Sequence, residues 1–327
     1  MADYYGTDTV VSELREDGLL IIRINRPDMA NALNGATSKA MENIMNNAET
    51  DPAVRAIIVT GTGKVFCAGE DLSELSEGGE CQTVTEHGFG GLTARTCSKP
   101  VIAACNGSAA GGGMEIALSC DMVVASERAK FGCTEVGLGI IASTGGIVRL
   151  ARDINRKDCM ELLLTGKKIK ADDAQKLGLI NYVVPAEEVM DKAIELAEQC
   201  LKNAPLALKW TKYLVHASDQ MCEEDAMRYC DAAYRFLEKT EDGFEGPAAF
   251  VEKREPKWVG RSSSPTPSKN TLPNQKITLL KKPFLITLHI PSYKKGARNG
   301  RLSYCLKWIL LIRSTNLNRP ITAINPL

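Results

Sequence analysis

KPVIAACNGSAAGGGMEIALSCDMVVAS, residues 99–126, reads as a buried strand, a helix that opens on three glycines, and a second buried strand. The same materials stand upstream. NALNGATSKAMENIMNNAETD carries Ala40, Met41, Ile44, Met45 and Ala48 at helical spacing, and AIIVTG follows as a short apolar run closed by glycine. Before them, VVSELREDGLLIIRINRP holds two apolar-rich runs, Val10–Leu14 and Leu19–Ile24, parted by the hairpin signal Asp17-Gly18 and stopped by Pro27. An α/β alternation of this kind offers ligand sites at its glycine-rich strand ends, here Gly61-Thr62-Gly63 and Asn106-Gly107. Beyond about residue 145 the strands largely stop. GGIVRLARDI, RKDCMELLLTG, AEEVMDKAIELAEQCLKNAP, LALKWTKYLVHA and EEDAMRYCDAAYRFLEK each carry helical periodicity, so a helical C-terminal part is expected after the α/β core.

Composition narrows the function classes. A chain of 327 residues with 44% hydrophobic content can bury a sizeable core. Forty basic and forty acidic residues give no overall pull toward nucleic acid, but the charge is uneven. Residues 262–327 hold eleven of the bases and none of the acids, and they begin with the Ser/Pro composition SSSPTPSKN. Cys67, Cys105, Cys120 and Cys133 sit inside apolar segments without paired spacing, which suits small buried thiols in a reducing compartment. There is no CxxC, and His87, His216 and His289 are far apart in sequence, so no metal site is expected. The N-terminal MADYYGTDTV does not resemble a signal peptide, and no run reaches the roughly 18 apolar residues of a membrane helix. The expected address is cytoplasmic, with no membrane partner.

The chemistry gathers at two glycine-rich elements, FCAGED (Phe66–Asp71) and GGGMEI (Gly111–Ile116). Glycine lets backbone N–H groups approach a ligand, and a helix N-terminus adds unpaired donors and a favourable dipole. Two such N–H groups from separate loops can hold a developing oxyanion. A glycine triplet taken alone is more often a tight helix–strand contact, and it lacks the GxGxxG spacing of dinucleotide binding. Two carboxylates change the reading. Glu115 stands in the apolar stretch MEIALSC and Glu135 follows the next strand, after KFGCT. Each alone is most simply a salt bridge or a cap. A buried carboxyl is costly unless protonated, paired or functional, and two at the ends of adjacent elements can flank one reacting centre as an acid–base pair.

RPDMANALN, FCAGEDL, KPVIAACNGSAAGGGMEIALSCD, KFGCTEVGLGI, TGGIVRL, LLTGKKIKADDAQKLGLINYVV and EGPAAFVEKREPKW together resemble, in order, the enoyl-CoA hydratase/isomerase (crotonase) superfamily over about residues 10–260. The resemblance implies a spiral of repeated ββα units over residues 1–200, a helical oligomerisation region over 201–261, and assembly into trimers or hexamers. It implies an acyl-CoA thioester whose carbonyl oxygen is held by the N–H groups of Ala68 and Gly112. It further implies that Glu115 activates water at Cβ while Glu135 exchanges the proton at Cα. Coenzyme A, which is part of the substrate rather than a cofactor, would lie along Ala68, Gly69, Glu70, Asp71 and Leu72, with Phe250 and Lys253 of the last helix nearby.

Members with both glutamates hydrate; loss of one tends toward isomerisation, dehalogenation or thioester hydrolysis. The closing DGFEGPAAFVEKREPKWVGR, with GGLTARTCSKPVIAACNG and STGGIVRL, looks most like the crotonobetainyl-CoA hydratase (carnitinyl-CoA dehydratase) branch. Glu70 departs from the bulky aromatic of that branch, and Ala142-Ser143 departs from the usual loop chemistry. The alternatives are a Δ3,Δ2-enoyl-CoA isomerase and an inactive scaffold that binds RNA through the basic tail. Residues 262–327 lie past the usual family end near KWVGR and are expected to be a disordered appendage. A chain stopped after Arg261 is therefore expected to fold, assemble and hydrate crotonyl-CoA as the full chain does, which gel filtration and a hydration assay read together.

Overall fold

The computed structural model describes residues 6–73 and 83–261, so the readings of the basic tail lie outside the described residues. The chain opens with β1 (Val10–Leu14) and β2 (Leu19–Ile24), paired antiparallel with Leu14 opposite Leu20 across the expected Asp17-Gly18 turn. Helix α1 (Gly35–Thr50) starts at Asn34, whose side chain accepts from the Thr37 N–H at 2.9 Å and so satisfies one orphan donor. There follow β3 (Ala56–Gly61), β4 (Val65–Cys67), the short hairpin β5 (Val84–Thr85) and β6 (Gly88–Phe89), then β7 (Val101–Cys105) and β8 (Ser108–Ala110). Helix α2 (Gly112–Ser119), β9 (Met122–Ser126), β10 (Lys130–Gly132), α3 (Gly146–Asp153), α4 (Arg156–Thr165), β11 (Ile169–Lys170), α5 (Ala171–Lys176), β12 (Tyr182–Val184) and α6 (Val189–Leu201) complete the α/β part.

Two sheets result. One has the order β1-β2-β3-β7-β9-β12 and is parallel from β2 onward; the other has the order β11-β10-β8-β4. Successive strand pairs β3–β4, β7–β8 and β9–β10 each send their first strand to the large sheet and their second to the small one. With α2 and α3 closing the latter two, these are the ββα units expected from the resemblance.

The near-continuous apolar runs of β2, β3, β7 and β9 follow from burial on both faces of the large sheet. Side chains alternate along each strand, so Ile57, Val59, Ala103 and Cys105 face the core shared with α1 and α2, whereas Ile58, Ile102, Ala104 and Val124 face Val189, Ala193 and Leu196 of α6. Among the described residues only β11 and β12 follow residue 145, so the strands largely stop there as expected; these two are two and three residues long and stand at sheet edges, too short to show a period.

Three helices follow: α7 (Pro205–Ser218), α8 (Glu223–Leu237) and α9 (Glu241–Glu252). Lys212 ties α7 to the sheet through Asp121 at 2.7 Å and the Lys99 carbonyl at 2.8 Å. These helices leave Met227, Tyr229, Tyr234, Phe244 and Phe250 exposed. Among the described residues no helix is long and apolar enough to cross a membrane.

Candidate active site

The three glycines at the junction of β8 and α2 have three separate reasons to be glycine. Gly111 makes the strand-to-helix turn at φ +54, a left-handed conformation that side chains disfavour. A Cβ on Gly113 would lie 2.1 Å from the Cys67 carbonyl oxygen, so α2 can sit on β4 only without one. At Gly112 a Cβ would lie 2.5 Å from the Phe89 ring. The Gly112 N–H is one of the first donors of α2, which have no intrahelical acceptor, and none of the described residues accepts from it. Both readings of the triplet thus hold at different positions: a tight contact at Gly113 and an open donor at Gly112.

The two glutamates converge on this helix start. Glu115 is 4% exposed on the first turn of α2, and three donors meet its carboxylate: the Thr144 N–H at 2.8 Å, the Gly146 N–H at 2.9 Å and the Thr144 hydroxyl. Both N–H groups come from the turn that leads into α3, so the loop at Ala142–Gly146 is built around Glu115. Glu135 opens a 3-10 turn (Glu135–Leu138) directly after β10 and is 9% exposed. Its Oε1 would lie 3.5 Å from a Cβ on Gly111, and its Oε2 has no hydrogen-bond partner among the described residues. A buried, unsatisfied carboxylate oxygen costs about 1–3 kcal/mol or more, so this one does not serve stability. Burial, with the Glu115 charge adding to it, pushes the Glu135 carboxyl above the usual carboxylate range against an opposing bond from its own backbone N–H. The pair is therefore differentiated: one carboxylate held by donors, the other free to carry a proton.

The structure corrects one expected residue. The Ala68 N–H donates to the Ala30 carbonyl at 3.1 Å, so it is spent inside the loop packing and is not aimed at Gly112. Further along the loop, a Cβ on Gly69 would stand 3.1 Å from the Gly112 nitrogen. The Gly69 carbonyl accepts from the Leu33 N–H, and the Asp71 N–H donates to the Leu33 carbonyl, both at 2.8 Å. A trans peptide points its N–H opposite its C=O, so the Glu70 N–H is directed away from Leu33. Sequence reading placed the donor on Ala68 because FCAGED shows no bond pattern; the parallel bridge of Leu33 with Glu70 supplies it.

Of the other expected residues, Asp71 is 6% exposed and locked to Arg26 at 2.9 Å, a structural pair that fixes the loop. The Glu70 carboxylate accepts from the Thr83 hydroxyl at 2.8 Å, and Leu72 is exposed. Phe250 is 86% exposed on α9, and Lys253 caps that helix at φ 54. No hydrogen bond or ion pair among the described residues brings Phe250 or Lys253 to the Ala68–Leu72 loop. Thr144, Gly146 and Phe89 are site residues that sequence reading missed. STGG carries the first two, but only the fold brings them to Glu115.

The chain matches the enoyl-CoA hydratase/isomerase family over residues 15–261. A short-chain-enoyl-CoA hydratase of Clostridium acetobutylicum is 40% identical over 247 residues, 73% of this chain and 94% of that protein. A carnitinyl-CoA dehydratase of Salmonella paratyphi A is 41% identical over 254 residues, 76% of this chain and 97% of that protein. Among solved structures, an enoyl-CoA hydratase from Mycobacterium tuberculosis H37Rv aligns with a TM-score of 0.74 at 37% identity, covering 78% of this chain and all of that one.

Proposed function

The chain belongs to the enoyl-CoA hydratase/isomerase family, and from that premise we infer that it is a hydro-lyase adding water across the 2,3 double bond of an enoyl-CoA thioester. The observation that carries this reading is the differentiated pair Glu115 and Glu135 beside the Gly112 N–H. Water attack at Cβ moves the π electrons onto the thioester oxygen, where the N–H groups of Gly112 and Glu70 and the α2 dipole stabilise the enolate. Glu115 accepts a proton from the attacking water. Glu135 delivers its proton to Cα as the carbonyl re-forms, and the two carboxyls then re-equilibrate their protons. The reverse sequence dehydrates a 3-hydroxyacyl-CoA. Isomerisation needs only one base, so the donor cradle around Glu115 supports hydration over it.

The raised Glu135 carboxyl gives a pH test. Hydration needs it protonated, so the alkaline limb of kcat for hydration is expected above the ordinary carboxylate range, and dehydration needs it ionised, so its acid limb is expected in the same place. The sign for folding is set by the same shift: stability from this group is fully present below the ordinary carboxylate pKa and is lost as pH rises through the raised one. Overlapping hydration and dehydration limbs at the ordinary carboxylate value would refute the assignment of Glu135 as proton carrier.

For the acyl group, short-chain enoyl and crotonobetainyl thioesters are the two substrates to set side by side, because relatives of both names align at similar identity. Ranking crotonyl-CoA and crotonobetainyl-CoA by kcat/KM reads the preference. Assembly into trimers or hexamers is supported by exposed Leu138, Ile140 and Ile141, which follow Glu135, and Val148 on the first turn of α3. A second copy on this apolar face would exclude water from the acid–base pair. Sedimentation velocity is expected to show a trimer or its multiple. A cytoplasmic address fits the buried thiols, of which Cys67 is pushed by burial to about 12 and is inert as a nucleophile.

A further inference from the structure

Glu42 is a buried acid that the hydration chemistry does not use. It lies on the inner face of α1, 2% exposed, and accepts from Lys39 Nζ at 2.9 Å, the His87 backbone N–H at 3.2 Å and His87 Nδ1 at 3.1 Å. Burial alone would raise its carboxyl, but hydrogen bonds from Lys39, Thr85 and His87 hold it down at about 2. Two of those donors sit on the hairpin of β5 and β6. Two further features dock this segment on α1. A Cβ on Gly91 would lie 2.5 Å from the Glu42 Cα, and Arg95 joins the Gly91 carbonyl at 2.8 Å to Asn46 Oδ1 at 2.7 Å.

The far side of the same hairpin touches both oxyanion elements. The Phe89 ring stands where a Gly112 Cβ would be, and the Thr83 hydroxyl donates to the Glu70 carboxylate at 2.8 Å. Phe89 is itself braced, its N–H donating to the Thr93 hydroxyl at 2.8 Å. We propose that the Glu42–His87 clip is a positioning device for the oxyanion site: it seats the Thr83–Phe89 segment, whose ring fixes Gly112 and whose hydroxyl fixes Glu70. His87 touches no reacting atom and acts through Phe89. The inference rests on the reading of Gly112 and Glu70 as oxyanion donors.

The test uses the full-length protein with His87→Ala, His87→Asn and Phe89→Leu. Asparagine places an amide donor close to the Nδ1 position, so it keeps the clip, whereas Phe89→Leu keeps the clip and loosens the contact with Gly112. Displacing one donor by a fraction of an ångström is expected to lower kcat for crotonyl-CoA hydration about tenfold in His87→Ala and Phe89→Leu, with KM within about twofold of wild type. His87→Asn should recover to within about threefold of the wild-type kcat.

The second readout is the infrared carbonyl band of bound, carbon-13-labelled butyryl-CoA, which cannot be hydrated. It should shift to lower frequency in wild type and His87→Asn, and shift less in the other two. Wild-type kcat and carbonyl shift in a folded His87→Ala protein would overturn the proposal. So would a loss confined to thermal midpoint or KM. If His87→Ala does not fold, Phe89→Leu decides in the same way. A wild-type protein that fails to hydrate crotonyl-CoA yet shifts the carbonyl band would instead overturn the reading of the reaction and leave the clip standing.

Discussion

Replacing Glu135 with glutamine is expected to lower crotonyl-CoA hydration by about 10²–10⁴-fold, and Glu115→Gln by a similar factor. Glutamine keeps the shape and hydrogen bonding of each site but removes the acid–base capacity. For Glu115 the Thr144 and Gly146 N–H groups remain to hold the amide oxygen at the Oε1 place, and the amide nitrogen takes the Oε2 place, where the Thr144 hydroxyl can turn to accept from it. Glu135→Gln also removes the charge that burial penalises, so that variant should be at least as stable as wild type. Because the two carboxyls work as a unit on one substrate, the double variant should be little worse than the weaker single one. Initial rates for the three proteins, with circular dichroism to confirm folding, check this. A folded Glu135→Gln enzyme above about a tenth of the wild-type rate would remove it from the mechanism.

Gly69→Ala is the second large effect. Its Cβ would stand 2.9 Å from the Ala110 carbonyl oxygen and 3.1 Å from the Gly112 nitrogen, and both are backbone atoms that cannot rotate away. On the proposed reading, making room for the methyl would shift the Gly112 N–H relative to the Glu70 N–H and so disturb the oxyanion donors. Loss of this stabilisation is expected to cost about 10²–10³ in kcat. Gly69 also has φ +101, so alanine adds backbone strain of about 1–3 kcal/mol. Gly178→Ala separates the two causes, since Gly178 has φ +86 with nothing within 4 Å of its would-be Cβ. That control should lose stability and keep its turnover; equal loss of turnover in both would attribute the effect to strain.

What could be read from the sequence follows from the range of the forces involved. The β1–β2 hairpin, α1 and the long strands were legible because burial on one or two faces writes itself into local periodicity. Glu115 and Glu135 were legible because a carboxylate in an apolar run is costly unless used. That the Ala68 N–H in FCAGED is spent was not legible, because which N–H is spent depends on Leu33 and Ala30, more than thirty residues away. Thr144, Phe89 and Glu42 stayed silent for the same reason. A threonine in a glycine-rich turn, a phenylalanine beside glycines and a glutamate on a helix are unremarkable until the fold sets them against Glu115, Gly112 and His87. The Leu138–Val148 apolar face was also hidden, since its exposure shows only once the chain has folded.

The most direct measurement is the product formed from crotonyl-CoA in deuterium oxide, read by mass spectrometry and proton NMR. Two carboxylates flanking an oxyanion site predict 3-hydroxybutyryl-CoA with one solvent deuteron at Cα and a solvent-derived oxygen at Cβ, and they predict that Glu135→Gln removes this product. Deuterium exchange or double-bond migration without oxygen at Cβ would contradict the account in favour of an isomerase, and unchanged substrate would contradict it in favour of a binding scaffold.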